Sequence, residues 1–225
     1  MIKAVLVDID NTLLDFHKCS DESMCLAADD FGISFPENYF EIFTEINNGL
    51  WEKIEKGELT RQGLFKVRWN LIFEAMGISG DGPVFEECFR DYIKKSAIPV
   101  EGAIELLQYL SNKYLVYVAS NSSYEQQKAR LGKAGMLPYI KEIFTSEEIG
   151  SAKPSKEFFE ACKKELPDFE NDEIMMIGDS INADIEGSKK FGFKTCWFNF
   201  TKKPDAVCAS ADFIVNELAE IKSIL

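Results

Sequence analysis

The first apolar run of the chain and the acidic turn after it constrain the fold more than any other stretch. Residues Ala4–Val7 are apolar, Asp8 and Asp10 follow, and Thr12 comes two positions later. A short apolar run bounded by polar turn residues predicts a buried strand of a parallel sheet. Ligands of open α/β sheets bind just outside the carboxyl ends of such strands. Because neighbouring carboxylates repel each other, this pair indicates a cation site, a nucleophile, or both.

The composition limits the partners that we expect. With 225 residues, of which 46% are hydrophobic, the chain can bury a substantial core. A net charge of −13 argues against a nucleic acid polymer or a membrane as partner, since both require a basic surface. A small anionic substrate is compatible with this charge if a metal ion or a lysine supplies local positive charge.

Cysteine and histidine usage excludes several kinds of site. The six cysteines form no Cys-x-x-Cys motif, and His17 is the single histidine. A zinc site or a Ser-His or Cys-His pair is therefore not expected. Scattered cysteines, a start without a signal peptide and no apolar run of membrane-spanning length predict a cytoplasmic protein. The oligomeric state stays open between a monomer and a homodimer.

Two patterns of secondary structure divide the chain. Residues 16–96 carry apolar residues at helical spacing, with Thr60 and Asp81 as expected N-caps. From residue 97 strands alternate with helices, which predicts a parallel sheet with helices on both faces. We therefore predict an α/β fold, with a Rossmann-like three-layer core from residues 1–15 and 97–225. An all-helical cap domain is inserted at residues 16–96. The predicted helices of the cap cover 20–31, 38–56, 60–76 and 84–95, and those of the core cover 103–112, 123–134, 155–165, 183–191 and a terminal segment from 217.

Polar residues follow several of the predicted strands. Ser120 and Asn121 end the strand 115–120, and Asp179, Ser180 and Asp184 follow the strand 174–177. Lys153 comes after the strand 143–145. Because the carboxyl ends of parallel strands lie at one edge of the sheet, these side chains are expected to share a cleft with Asp8 and Asp10.

Phosphoryl transfer is the chemistry that this set of residues favours. Carboxylate oxygens of Asp8 and Asp179 suit Mg²⁺, and a carboxylate beside the metal can attack phosphorus to form an aspartyl-phosphate. The Ser120 hydroxyl and the amides that follow it can hold phosphate oxygens, and Lys153 can balance their charge. Asp10, close to a second carboxylate, suits acid–base work.

These residues resemble the four motifs of the haloacid dehalogenase-like (HAD) hydrolase superfamily, and the helical insert is similar to its type 1 cap. The resemblance implies that Asp8 is the nucleophile and a Mg²⁺ ligand. Asp10 would be the general acid/base and would bind the metal through its main-chain carbonyl, with Asp179 as the last ligand. Phosphate would contact Thr12, Ser120, Asn121 and Lys153, while Asp184 and Ser180 would support the metal ligands.

Two details refine the resemblance. Glycine is common in the superfamily at the position of Asn11, and this departure bears only on the local turn geometry. Members that dehalogenate haloacids lack the second aspartate, so Asp10 favours the phosphatase branch. The segments around Asp15 and Trp51 resemble the group of pyrimidine 5′-nucleotidases and N-acylneuraminate-9-phosphatases. Candidate substrate contacts from the cap are Trp51, Arg61, Arg68 and Trp69, although Trp51 and Trp69 at helical spacing also fit a helical core.

The leading hypothesis is a Mg²⁺-dependent phosphomonoesterase of a small phosphorylated metabolite, with nucleoside 5′-monophosphates as candidate substrates. Sugar phosphates and phosphoglycolate are alternative substrates, and a phosphomutase would use the same aspartyl-phosphate. A signalling receiver domain also combines an acid cluster with a hydroxyl and a lysine, but its acids are adjacent and its length is about half of this chain's. A binding protein that has lost activity is a further alternative.

Overall fold

The computed structural model describes residues 1–208 and 210–225, and the chain divides into two compact units. Unit 1 consists of Met1–Phe16 and Ala97–Leu225, and unit 2 consists of His17–Ser96. Phe16, which the sequence pattern assigns to the helical segment, lies in unit 1 although the first helix begins at this residue.

Unit 1 contains a parallel sheet of six strands. They are β1 (Ala4–Val7), β2 (Leu115–Ser120), β3 (Glu142–Thr145), β4 (Ile174–Gly178), β5 (Lys194–Phe198) and β6 (Phe213–Val215). Their order across the sheet is β3-β2-β1-β4-β5-β6, and every neighbouring pair is parallel. The predicted α/β fold with a Rossmann-like sheet is confirmed. The chain moves outward from β1 to β3 and then from β4 to β6, so the direction of winding changes between β1 and β4.

Unit 2 is helical throughout. Its helices are α1 (Phe16–Phe31), α2 (Tyr39–Glu55), α3 (Arg61–Met76) and α4 (Gly82–Lys95). The Gly63 amide donates to the Thr60 hydroxyl at 3.0 Å, and the Val84 amide donates to the Asp81 carboxylate at 3.1 Å. Both predicted N-caps are therefore confirmed.

Aromatic packing organises the core of unit 2. Trp69 is fully buried, and its ring lies 4.3 Å from Phe85, 5.3 Å from Phe89 and 6.0 Å from Phe43 between centroids. Burial of several large aromatic side chains in one cluster contributes most of the apolar area that such a small helical unit can bury. Trp69 is therefore a core residue.

The helices of unit 1 cover both faces of the sheet. Val5 and Val7 pack in one apolar cluster with Leu106, whereas Leu6 packs in a second cluster with Phe158. Because successive strand residues point to opposite faces, β1 is buried on both sides and the core has three layers. The helices are α5 (Ala103–Ser111), α6 (Tyr124–Lys133), α7 (Ser146–Ile149), α8 (Lys156–Lys164) and α9 (Gly187–Phe191).

Two predicted helices of unit 1 take other forms. The terminal segment Leu218–Ser223 is a 3-10 helix, as are Leu137–Tyr139, Asn171–Glu173 and Asp205–Cys208. The segment before α9, Ile181–Glu186, is a π-helical turn, a form that is rare and frequent at functional sites. Within the described part of the chain, no helix has the length and apolar character that a membrane span requires.

Candidate active site

The carboxyl ends of β1 and β4 bring three aspartates together. Val7 pairs with Ile177, and the Asp8 amide donates to the Ile177 carbonyl at 2.8 Å. Carboxylate oxygens of Asp8, Asp179 and Asp184 lie within 4.8 Å of one another. This acid cluster lies where the direction of winding changes, which is the position of ligand sites in doubly wound α/β sheets.

Lys153 offsets part of the negative charge of the acid cluster. Its ammonium donates to Asp8 at 2.6 Å, to Asp184 at 2.7 Å and to the Ala119 carbonyl at 2.7 Å. An ammonium carries three protons, and each of them has an acceptor here. Lys153 is only 2% exposed, so water screens these ion pairs little.

The surroundings raise the pKa values of Asp8, Asp179 and Lys153, but for different physical reasons. Burial raises the pKa of Asp8 to about 7; Lys153 opposes the rise, while Asp184 and Asp10 add to it. Burial, followed by repulsion from Asp8 and Asp184, raises the pKa of Asp179 well above its ordinary value. Burial alone would lower the pKa of Lys153, but Asp184 and Asp8 outweigh it and raise that pKa. The cluster therefore holds more negative charge than one lysine compensates.

The donor set of the acid cluster fits a hard divalent cation. Carboxylate oxygens are the ligands that Mg²⁺ prefers, and a cation would relieve the repulsion that raises the pKa values of Asp8 and Asp179. The sequence places Asp184 in a supporting role, whereas the structure includes its carboxylate in the cluster. The Asp10 carboxylate bonds Gln127 and Arg130, and contact of its main-chain carbonyl with a metal stays a prediction.

The loop after β4 holds Asp184 in place. The Ser180 amide donates to the Asp184 carboxylate at 3.0 Å, and the Ser180 hydroxyl accepts from the Ala183 amide at 3.1 Å. Gly178 provides the room, because a Cβ at this position would lie 2.3 Å from an Asp184 carboxylate oxygen. The Trp197 indole donates to the Asp179 carbonyl at 2.9 Å and fixes the same loop from β5.

Asp10 is bound by two residues of α6. Arg130 donates to one carboxylate oxygen of Asp10 at 2.5 Å, and Gln127 donates to the other at 2.7 Å. Gln127 also donates to the Ser120 hydroxyl at 2.8 Å. No motif in the sequence indicates either residue. The one sequence signal for them is that Leu131, at apolar helical spacing from Gln127, marks this side of the helix as the inward face.

Two further residues of the predicted phosphate site, Asn121 and Thr12, and the neighbouring Asn11 differ in their local surroundings. The Asn121 side chain donates to the Lys153 carbonyl at 2.8 Å and accepts from the Lys153 amide at 2.7 Å, so it binds the backbone that carries the lysine. Thr12 is fully buried, and no hydrogen bond to its hydroxyl is found among the described residues. Asn11 has φ of 62°, a left-handed conformation that glycine adopts most easily and asparagine tolerates.

The candidate substrate contacts of unit 2 differ in their surroundings. Trp51 and Arg61 are partly buried, and the Arg61 guanidinium lies 5.6 Å from the centre of the Phe65 ring. Arg68 is 3% exposed, and it donates to Glu86 at 2.6 and 3.0 Å and to Asn47 at 2.9 Å. This placement contradicts the prediction that Arg68 contacts substrate, because its charge is already paired inside unit 2.

A doubly wound core with an acid cluster, a buried lysine and a second aspartate is the arrangement that the sequence motifs predict for a hydrolase of the α/β class. Comparison with family models identifies the haloacid dehalogenase-like hydrolases over residues 2–192. The chain therefore belongs to the haloacid dehalogenase-like hydrolase family, as the motifs predicted. This membership decides against the receiver-domain alternative.

Relatives and solved structures agree with this assignment. The Bacillus subtilis HAD-family protein YfnB is 30% identical, with 99% of this chain and 95% of YfnB covered. A crystal structure of YfnB bound to magnesium superposes with a TM-score of 0.93 over 100% of this chain and 98% of that chain. The pyrimidine 5′-nucleotidase PynA of Streptococcus pneumoniae is 30% identical over 88% of this chain and 84% of PynA. The pyrimidine 5′-nucleotidase YjjG of Escherichia coli is 25% identical over 98% and 96%.

Proposed function

We propose that the protein is a Mg²⁺-dependent phosphomonoesterase that acts on a small phosphorylated metabolite through a phospho-Asp8 intermediate. The observation that carries the proposal is the acid cluster of Asp8, Asp179 and Asp184 around Lys153, at the point of the sheet where the direction of winding changes. Asp10, the second acid of the first motif, supports phosphate chemistry over dehalogenation.

In the first step an oxygen of Asp8 forms a bond to phosphorus as the bond to the ester oxygen breaks. Asp10 gives its proton to the leaving oxygen, so the alcohol departs neutral. Lys153 favours the ionised form of Asp8 and orients its carboxylate for attack. A divalent cation held by Asp8, Asp179, Asp184 and the Asp10 carbonyl would supply positive charge against the phosphate oxygens.

In the second step a water oxygen bonds to phosphorus, the bond to Asp8 breaks, and Asp10 takes the proton of the water. Inorganic phosphate leaves and both acids return to their starting states. The Ser120 hydroxyl and the main-chain amides after it hold the phosphate oxygens through both steps. Thr12 lies in the same turn as Asp10, and its main chain is the proposed contact with phosphate.

Pyrimidine nucleoside 5′-monophosphates are the proposed substrates. The support is that two relatives covering most of the chain, PynA and YjjG, are pyrimidine 5′-nucleotidases. Trp51 and Arg61, both partly buried in unit 2, are the proposed contacts with the nucleoside part. An aromatic ring suits stacking on a base, and an arginine suits a polar or anionic group.

A substrate panel with and without Mg²⁺ tests the proposal. Hydrolysis of pyrimidine monophosphates above purine monophosphates, sugar phosphates and phosphoglycolate is expected, and chelation of Mg²⁺ is expected to abolish it. Asp8→Asn should be inactive, while Asp168→Asn, the same change at an exposed position, should behave as wild type. Release of an isomer in place of free phosphate would identify a phosphomutase. The absence of hydrolysis of every phosphate ester in the panel would overturn the proposal.

A further inference from the structure

Helix α6 presents two fully buried polar side chains, Gln127 and Arg130, to the candidate site. Buried polar groups of this kind are costly unless each donor and acceptor is paired. Their hydrogen bonds converge on Asp10 and Ser120, the proposed proton carrier and the proposed phosphate ligand. The network therefore links the residue proposed for proton transfer to the residue proposed for phosphate binding, and both links come from helix α6.

The donors and acceptors in this network have only one consistent arrangement. A guanidinium only donates, so the Gln127 atom that faces Arg130 at 3.0 Å must be the amide oxygen. The amide nitrogen then faces Asp10 at 2.7 Å and Ser120 at 2.8 Å. Since the Asp10 carboxylate accepts one of its two protons, the other goes to the Ser120 hydroxyl, which acts as an acceptor.

A hydroxyl that accepts from Gln127 keeps its own proton for another partner. A phosphate dianion only accepts hydrogen bonds, so a Ser120 hydroxyl with its proton directed away from Gln127 is prepared to bind it. If the residue at position 127 accepted instead, the Ser120 proton would be used inside the protein. Arg130 fixes the orientation of the Gln127 amide, and the Ser120 proton is therefore directed away from Gln127.

We propose that Gln127 is a positioning residue that makes Ser120 a hydrogen-bond donor toward substrate phosphate and that, together with Arg130, orients the Asp10 carboxylate. The inference rests on the proposed function, because it assigns to Gln127 a part in phosphate binding and in proton transfer by the same site. Gln127 acts through Ser120 and Asp10 and does not itself touch the reacting atoms.

The decisive variant is Gln127→Glu, which keeps the shape of the side chain but replaces its donor with an acceptor. We expect the affinity for inorganic phosphate, measured by calorimetry with Mg²⁺ present, to fall about 10- to 100-fold. We expect kcat to fall about 100-fold, because the new carboxylate also faces Asp10. The matched control is Gln126→Glu, whose side chain lies one position away and bonds Ser122 at 3.2 Å; it should bind phosphate and turn over as wild type.

A double-mutant cycle with Ser120→Ala separates this role from a structural one. If Gln127 acts on phosphate through Ser120, Gln127→Glu should weaken phosphate binding little further once the hydroxyl is gone. Additive losses of affinity would overturn the inference. If Gln127→Glu fails to fold, Gln127→Met, which removes both donors without adding charge, is measured in the same cycle and carries the same expectation.

The two proposals fail in different ways. An active wild type whose Gln127→Glu variant binds phosphate and turns over like Gln126→Glu overturns the role of Gln127 alone. If phosphate binding by the wild type depends on Gln127 and Ser120 but no ester is hydrolysed, the proposed function is overturned and the role of Gln127 in phosphate binding is supported. A wild type that neither binds phosphate nor hydrolyses an ester overturns both.

Discussion

Asn121 and Lys153 are joined by two hydrogen bonds between one side chain and one peptide backbone. The Asn121 amide nitrogen donates to the Lys153 carbonyl at 2.8 Å, and its oxygen accepts from the Lys153 amide at 2.7 Å. This arrangement connects the loop after β2 to the loop that carries the lysine. It holds the Lys153 ammonium where it can reach Asp8 and Asp184.

Loss of this connection should impair catalysis. Asn121→Ala removes two hydrogen bonds worth about 1 kcal/mol each, and the resulting freedom of Lys153 should lower kcat/KM about 10- to 30-fold. The control is Asn112→Ala, an exposed asparagine that bonds the Gln108 carbonyl at 2.9 Å. Equal kcat/KM for the two variants would show that the Asn121 side chain does not position Lys153.

Gly178 should matter for metal affinity. In Gly178→Ala the new Cβ would lie 2.3 Å from an Asp184 carboxylate oxygen, so Asp184 must move out of the acid cluster. We expect Mg²⁺ to bind about 10-fold or more weakly, as measured by calorimetry. Gly49→Ala, where nothing lies within 4 Å of the added atom, is the control and should leave Mg²⁺ affinity unchanged. Wild-type affinity in Gly178→Ala would contradict the place of Asp184 in the metal site.

The buried pair of Arg68 and Glu86 should act on stability. Arg68→Ala leaves the Glu86 carboxylate buried without its partner, and we expect a loss of about 3–5 kcal/mol in the free energy of unfolding. Replacing both residues by apolar ones, in Arg68→Met with Glu86→Leu, should restore most of that loss. Arg61→Ala, at a partly buried position, should cost about 1 kcal/mol or less. Urea unfolding measures all three, and a double variant no more stable than Arg68→Ala would contradict this account.

The raised pKa of Asp8 predicts how the stability of the metal-free protein varies with pH. Its pKa rises from an ordinary 3.8 to about 7 on folding, so the folded protein holds this proton more tightly than the unfolded chain. The resulting stabilisation is complete below pH about 4 and is lost as pH rises through about 7. The free energy of unfolding of wild type relative to Asp8→Asn, which cannot titrate, should therefore fall over this range.

Urea unfolding of both proteins between pH about 4 and about 8, in the presence of a chelator, measures that difference. With saturating Mg²⁺ the fall should disappear, since the cation stabilises the ionised carboxylate. A difference that does not vary with pH in the chelator would contradict the burial of Asp8 as the cause of its raised pKa.

The residues at the strand ends could be predicted from the sequence, because a parallel sheet brings the carboxyl ends of its strands to one edge. Asp8, Asp179 and Lys153 follow or approach such ends, and the structure brings them together. The sequence also places Asp184 near the site, but it does not show that its carboxylate joins those of Asp8 and Asp179. That position depends on the π-helical turn and on the room beside Gly178.

Other features depend on contacts between residues far apart in sequence. Arg68 looks like a surface arginine until Glu86, eighteen positions away, is seen to pair with it. Gln127 and Arg130 lie in a helix of mostly polar sequence, and both are buried where their side chains bond Asp10. Leu131 indicates the inward side of this helix, but no motif identifies Gln127 and Arg130, because a polar side chain is buried only where the fold supplies its partners.

The central claim is that phosphate passes through Asp8, and rapid chemical quench during turnover tests it directly. Wild type and Asp10→Asn are mixed with a pyrimidine monophosphate and Mg²⁺, quenched in acid, digested and analysed by mass spectrometry. The account predicts one phosphoryl group on Asp8 of wild type during turnover, and slower formation of this group in Asp10→Asn, because the first step then lacks its acid. Steady turnover with Asp8 unmodified in both proteins, or with the phosphoryl group on another residue, would contradict it.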